Sequence, residues 1–194
     1  MNTGKWFLSD AQFHQLYPAA VMPQASMHWT PLNIARKVAE FLAAEKDMKI
    51  LDIGSGAGKF CLAAAYYKPD AFFYGIEQRP ELVACAENAR FQLQFQNVFF
   101  TEGNITQFDL TQYDHYYFYN SFHENIEDEN KIDDKVTYSR ELYYAYNRYL
   151  CKQLEKKASG TRLATFHAME EQLPAGYHEV GATPDELLKF WIKI

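Results

Sequence analysis

The stretch "LDIGSGAGKF", residues 51–60, sets three glycines on alternate positions between an apolar run and a helix-forming one. Glycine has no Cβ, so a chain leaving a strand here can turn tightly and bring its backbone close to a ligand. The spacing chooses among ligands. Nucleotide-binding dehydrogenases use G-x-G-x-x-G, whereas Gly54, Gly56 and Gly58 are spaced G-x-G-x-G with Asp52 two residues ahead. The Lys-Ser/Thr pair of a phosphate-binding P-loop does not follow. Both nicotinamide-dependent oxidoreduction and P-loop chemistry are therefore disfavoured.

Outward from this stretch, strand-like and helix-like segments alternate. "KILDIG" (49–54) reads as the first strand and "GKFCLAAAYY" as the helix after it. "AFFYGIE" (71–77) is the second strand, and Pro80 opens a helix with Leu82, Ala86, Ala89 and Leu93 on one face. "NVFFTEG" (97–103) and "HYYFYN" (115–120) are the third and fourth strands, joined by "NITQFDLTQYD", which is short for a crossover helix and predicts a loop or one turn. A long helix follows, with Leu142, Tyr146, Leu150 and Leu154 at four-residue intervals and an end near Gly160. "TRLATFH" is the fifth strand and "YHEVGAT…ELLKFWIKI" a closing pair. Before the glycines, "TPLNIARKVAEFLAA" predicts a helix with Thr30 as N-cap, Pro31 at the first helical position and Ile34, Val38, Phe41 and Leu42 as its apolar stripe.

Alternation of this kind specifies an α/β fold: a Rossmann-like three-layer sandwich around a mostly parallel seven-stranded sheet, with an antiparallel closing strand at the C-terminus. A length of 194 residues suits a single domain, 1–194. Residues 1–29 read as an irregular lead-in with a short helix near 9–16, and 30–194 as the core. In such sheets ligands sit beyond the carboxyl ends of the strands, where strand order reverses.

Bulk properties narrow the partners. Apolar residues make up 48% of the chain and charged ones 23%, a globular composition. The formal charge of −6 comes without a Lys/Arg cluster on any expected helix face, which speaks against nucleic acid as a partner. No segment reads as a secretory leader or a membrane span, so a cytoplasmic protein is expected. Cys61, Cys85 and Cys151 are odd in number and far apart, which suggests reduced, mostly buried thiols rather than disulfides or a zinc site.

D-x-G-x-G-x-G followed by an acidic residue at the end of the next strand resembles the class I S-adenosylmethionine-dependent methyltransferases, from Thr30 to the closing hairpin. The resemblance implies S-adenosyl-L-methionine as cofactor. It places Gly54, Ser55, Gly56 and Gly58 beside the methionine portion, Asp52 near its ammonium group and Glu77 on the ribose hydroxyls. A carboxylate accepts two parallel hydroxyl donors, which agrees with that role. Asn104 in "EGNIT" stands where the family often has Asp for the adenine, and its amide oxygen is expected to accept from the adenine amino group, with Ile105 against the ring. "HWTP" resembles the aromatic-Thr-Pro lead of relatives such as the histone-lysine methyltransferases lacking a SET domain, so Trp29 and Thr30 are expected to close over the cofactor.

The acceptor is expected at the end of strand four, in "YNSFHE" (119–124). Amino-directed members of the class often carry Asn/Asp-Pro-Pro-Tyr/Phe there. Asn120 and Phe122 match in kind, whereas Ser121 replaces the proline pair. Asn120 is thus a candidate to hold an amine, Phe122 to pack on it, and His123, or Glu124 beside it, to take a proton. The acidic residues Glu124, Glu127, Asp128, Glu129, Asp133 and Asp134, with Lys131 among them, ordinarily form a solvated loop; bordering a pocket they would attract a cationic small-molecule or protein acceptor. The expected activity is methyl transfer to an amine nitrogen rather than a hydroxyl. A non-catalytic domain that binds the cofactor as a sensor or partner subunit is the alternative.

Overall fold

The computed structural model describes residues 3–126, 131–167 and 173–194. After two short helices, α1 (Asp10–His14) and α2 (Ala25–His28), the chain forms α3 (Leu32–Leu42), β1 (Lys49–Ile53), α4 (Lys59–Tyr67), β2 (Phe72–Glu77), α5 (Pro80–Leu93), β3 (Val98–Glu102) and β4 (His115–Phe118). Then come α6 (Arg140–Glu155), β5 (Arg162–Phe166), β6 (Tyr177–Ala182) and β7 (Leu188–Lys193). The link between β3 and β4 contains only two 3-10 turns, Ile105–Gln107 and Leu110–Gln112, so no helix crosses there.

The seven strands lie in the order β3-β2-β1-β4-β5-β7-β6, with β7 antiparallel to both neighbours and the other pairs parallel. This is the Rossmann-like sheet expected from the alternating elements. Strand order reverses between β1 and β4, whose register pairs Ile53 with Phe118, and the crevice opens just beyond that pair.

Two-residue periodicity divides the core between the faces. Ile50, Phe73 and Tyr117 point into a cluster that includes Leu62 of α4 and Leu82, Ala89 and Leu93 of α5. Leu51, Ile53, Tyr116 and Phe118 point to the opposite face, where Tyr146, Leu150 and Leu154 of α6 cover them. Leu142, expected on the same stripe, is only partly buried, and Tyr143 is buried instead. Tyr116 satisfies its buried hydroxyl by donating to Leu110 O at 2.6 Å.

The start of α3 differs from expectation. Pro31 takes the N-cap position, the Leu32 amide donates to Asp10 Oδ1 at 3.1 Å, and Thr30 hydrogen-bonds Tyr117 Oη at 2.9 Å. The lead-in therefore caps this helix from outside, which releases Thr30 for the sheet. Its buried face runs through Leu32, Ala35, Val38, Ala39 and Leu42, with Ile34 and Phe41 at the margin, because the small alanines admit α4 closely. Among the described residues none of the three cysteines is in a disulfide, and only Cys61 is fully buried. Among the described residues no helix is long and apolar enough to cross a membrane.

Candidate active site

A cavity of about 390 Å³ lies at the reversal point. Every candidate residue named from the sequence lines it except Gly58, which begins α4 facing Phe100, where an added Cβ would approach the ring to 2.4 Å. As β1 ends, the Gly54 and Ser55 amides both donate to Ile76 O at 3.0 Å, which folds the chain back over β2. Gly54 has φ +74°, and a Cβ there would stand 2.4 Å from Ser121 Cβ. Gly56 has φ +52° and open space where a side chain would be, so its backbone borders the cavity directly.

Two buried carboxylates flank this loop. Glu77 Oε2 accepts the Gly56 amide at 3.0 Å and Oε1 accepts the Arg79 amide at 2.9 Å. Each carboxylate oxygen offers two lone pairs, so one on each is still available, which suits a pair of adjacent hydroxyls. Burial pushes the Glu77 pKa up, against the Arg79 amide, the Arg79 guanidinium and the Gly56 amide, which favour its charge. Asp52 is buried, and its pKa is pushed up to about 8 by burial, although the Cys61 thiol donates to Oδ2 at 3.7 Å; the Glu77 charge adds to the rise. A cation arriving beside Asp52 would reverse that shift.

The other half of the cavity is built at the end of β4. Asn120 has φ +40°, a left-handed conformation uncommon for a residue with a side chain, and its side-chain amide makes no hydrogen bond among the described residues. Ser121 Oγ donates to Ile53 O, which ties the end of β4 to the end of β1. Phe122 is buried with its ring 5.0 Å from Phe118 and 5.4 Å from Tyr146, and His123 begins a 3-10 turn, His123–Asn125. His167, which follows β5 with φ +54°, lines the same cavity and stacks on Tyr119 at 5.7 Å.

Two cations, Arg79 and Lys59, also belong to the site without having been named from the sequence. Arg79, only 4% exposed, reaches Glu77 at 3.6 Å, Glu124 at 2.6 Å and Asp133 at 3.3 Å, and donates to Tyr138 Oη at 2.7 Å. Burial alone would lower its pKa; Glu124 and Glu77 outweigh that and raise it. Glu124 and Asp133 thus turn inward onto Arg79 instead of lying in a solvated loop, while Glu127, Asp128 and Glu129 fall outside the described residues. A cation directly after an acidic strand end, in "EQRP", was the available signal. Lys59 also lines the cavity, buried, ion-paired with Asp10 and 3.0 Å from His14 Nε2, and burial lowers its pKa. Trp29 packs on Tyr17 and His14, with its buried Nε1 unpartnered among the described residues. Asn104 Oδ1, offered to adenine in the sequence reading, accepts from Thr106 N at 3.1 Å and Thr106 Oγ1 at 2.9 Å.

A family model described as a methyltransferase domain matches residues 44–184. The chain belongs to the class I S-adenosylmethionine-dependent methyltransferases. A tRNA (guanine-N(7)-)-methyltransferase of Synechococcus sp. (strain JA-3-3Ab) is 47% identical to this methyltransferase over 55 residues, which span 28% of the chain and 23% of that relative. An RNA methyltransferase of Salinibacter ruber, solved with S-adenosyl-L-homocysteine, superposes with a TM-score of 0.59 at 19% identity, over 85% of this chain and 93% of its own. A SAM-dependent methyltransferase of Aquifex aeolicus gives 0.57 at 15% identity over the whole of both chains. At such identities the structural likeness speaks for the fold. The cofactor is S-adenosylmethionine, which when bound supplies an electrophilic methyl group on a sulfonium sulfur.

Proposed function

We propose that this methyltransferase, acting as one domain over 1–194 in the cytoplasm, methylates an amine nitrogen of a protein lysine or small amine. The observation that carries the reading is Asn120: an uncommitted side-chain amide in a strained left-handed turn, at the end of the strand beside the glycine loop. Strain of this kind persists where surrounding contacts enforce it and clusters at working sites.

In this reading the donor half consists of Glu77 on the ribose hydroxyls, Asp52 toward the ammonium group, and the backbone of Gly54, Ser55 and Gly56 along the methionine portion. Asn104 and Ile105 sit at the adenine end, and Trp29 and Thr30 cover the cofactor. The Arg79 amide and guanidinium favour the ionised form of Glu77, the form that accepts two hydroxyls, against the effect of burial. In the acceptor half Asn120 Oδ1 accepts a hydrogen of the amine, Phe122 packs against the carbon bearing it, and His123 takes the proton that the ammonium must lose before it can attack. Holding the nucleophile in line is where most of the rate must come from, since orientation supplies up to about 7–11 kcal/mol.

Guanine N7 of an RNA is the second reading, favoured by the Synechococcus relative. Against it, Lys59 and Arg79 are engaged by Asp10, and by Glu77, Glu124 and Asp133, so neither is free for phosphate. Cofactor labelled in the methyl group, incubated separately with lysine-rich protein, polyamine and bulk tRNA, tests the choice. Label in the amines is expected; label in tRNA alone transfers the assignment to RNA.

A further inference from the structure

We infer that Tyr146 is a recognition residue for the adenine end of the cofactor, and that with Asn104 it reads a ring nitrogen of the base, not the exocyclic amino group. The inference rests on the proposed placement of the cofactor across Glu77 and the loop after β3, and it follows from accounting for each hydrogen at that end of the cavity. Asn104 caps the 3-10 turn Ile105–Gln107. Because the Thr106 backbone amide can only donate, the Asn104 atom it meets at 3.1 Å must be the oxygen, and Thr106 Oγ1 occupies that oxygen's second lone pair at 2.9 Å. Nδ2 is then fixed as the atom 2.7 Å from Tyr146 Oη.

An amide NH₂ has no lone pair to offer, so the Tyr146 hydroxyl is the acceptor in that contact and its own proton points elsewhere. Among the described residues nothing receives that proton. Tyr146 is 8% exposed and lines the cavity together with Asn104 and Ile105. Of the hydrogens on these two side chains, the hydroxyl proton and the second Nδ2 hydrogen remain free to donate. An exocyclic amino group, itself a donor, finds no partner in that set, whereas the ring nitrogens of adenine are acceptors. A buried donor facing a base discriminates steeply against an analogue with C–H in place of the nitrogen, because the donor is then left unpaired. Tyr146 comes from α6, the sixth helix or strand after the glycine loop, and its ring also touches Phe122, so it joins the adenine end of the site to the acceptor end.

Titration calorimetry with S-adenosylhomocysteine and its 1-deaza, 3-deaza and 7-deaza analogues tests this on the full chain. Wild type is expected to bind S-adenosylhomocysteine about tenfold more tightly than at least one deaza analogue, and Tyr146→Phe to bind it about tenfold more weakly with that preference erased. The phenylalanine keeps the contact with Phe122, and the preference is a ratio within the folded fraction, so a modest loss of stability does not imitate the result. Unchanged affinity in Tyr146→Phe, or equal binding of all four ligands by wild type, overturns the inference. No binding of S-adenosylhomocysteine by wild type would instead overturn the cofactor placement beneath it.

Discussion

Two adjacent parallel strands, β1 and β4, end side by side at the crevice, and each is followed by a left-handed turn built in a different way. After β1 the turn is made by glycine, at φ +74° and +52°, which costs little wherever it occurs. After β4 it is made by Asn120 at φ +40°, held by the His123 amide on Asn120 O at 3.0 Å and by Ser121 Oγ on Ile53 O. The first turn depends on its own residue types; the second depends on what surrounds it. The donor half of the site can therefore be recognised locally, and the acceptor half exists only in the assembled fold.

The comparison breaks most visibly at Glu77. Removing its carboxylate in Glu77→Ala takes away two charge-assisted bonds of about 1.5–3 kcal/mol each, so affinity for S-adenosylhomocysteine should fall roughly 100-fold or more by calorimetry. Arg79 retains Glu124 and Asp133, which keeps the fold intact. Undiminished affinity would remove Glu77 from the site.

Gly54→Ala tests whether the two turns are packed against each other. Its Cβ would meet Ser121 in a left-handed backbone, and strain plus overpacking should lower unfolding stability by about 2–4 kcal/mol in urea. Adding Ser121→Gly should recover part of the loss by removing the collision; no recovery would show that the turns are not coupled.

An effect confined to the pH profile follows from Asp52. Its native pKa of about 8 lies above the unfolded value of about 3.9, so between those two pH values the native state binds more protons than the unfolded one. Stability from this group is complete below about pH 4 and is lost as pH rises toward 8, with a slope of at most about 1.4 kcal/mol per pH unit. Asp52→Asn should flatten that part of the stability profile, and an unaltered slope would assign it to other groups.

The same contrast explains what could be read from the chain alone. The strands and the flanking helices α3 to α6 follow from periodicity and glycine punctuation, which are local, and so does the position of Glu77 at a strand end. Lys59 and Tyr146 could not be read in this way, because each becomes part of the site through a partner 42 or more residues away, and Arg79, although next to Glu77, is held in place by Glu124, 45 residues on. Thr30 illustrates the limit from the other side: its sequence context matches a helix cap, and only the lead-in's Asp10 at the Leu32 amide shows that the cap is supplied elsewhere. Asn104 likewise carries the right chemistry for adenine, but the neighbouring Thr106 claims its oxygen first.

The central claim is that Asn120 holds a nitrogen where the methyl group is transferred, and sinefungin, which bears an amino group at the position of the methylsulfonium, places such a nitrogen there. The decisive measurement is the ratio of sinefungin to S-adenosylhomocysteine affinity in wild type and in Asn120→Ala. Wild type should favour sinefungin by about tenfold, one hydrogen bond to a charged group, and the variant should lose that preference while still binding S-adenosylhomocysteine. An identical ratio in both proteins would contradict the account.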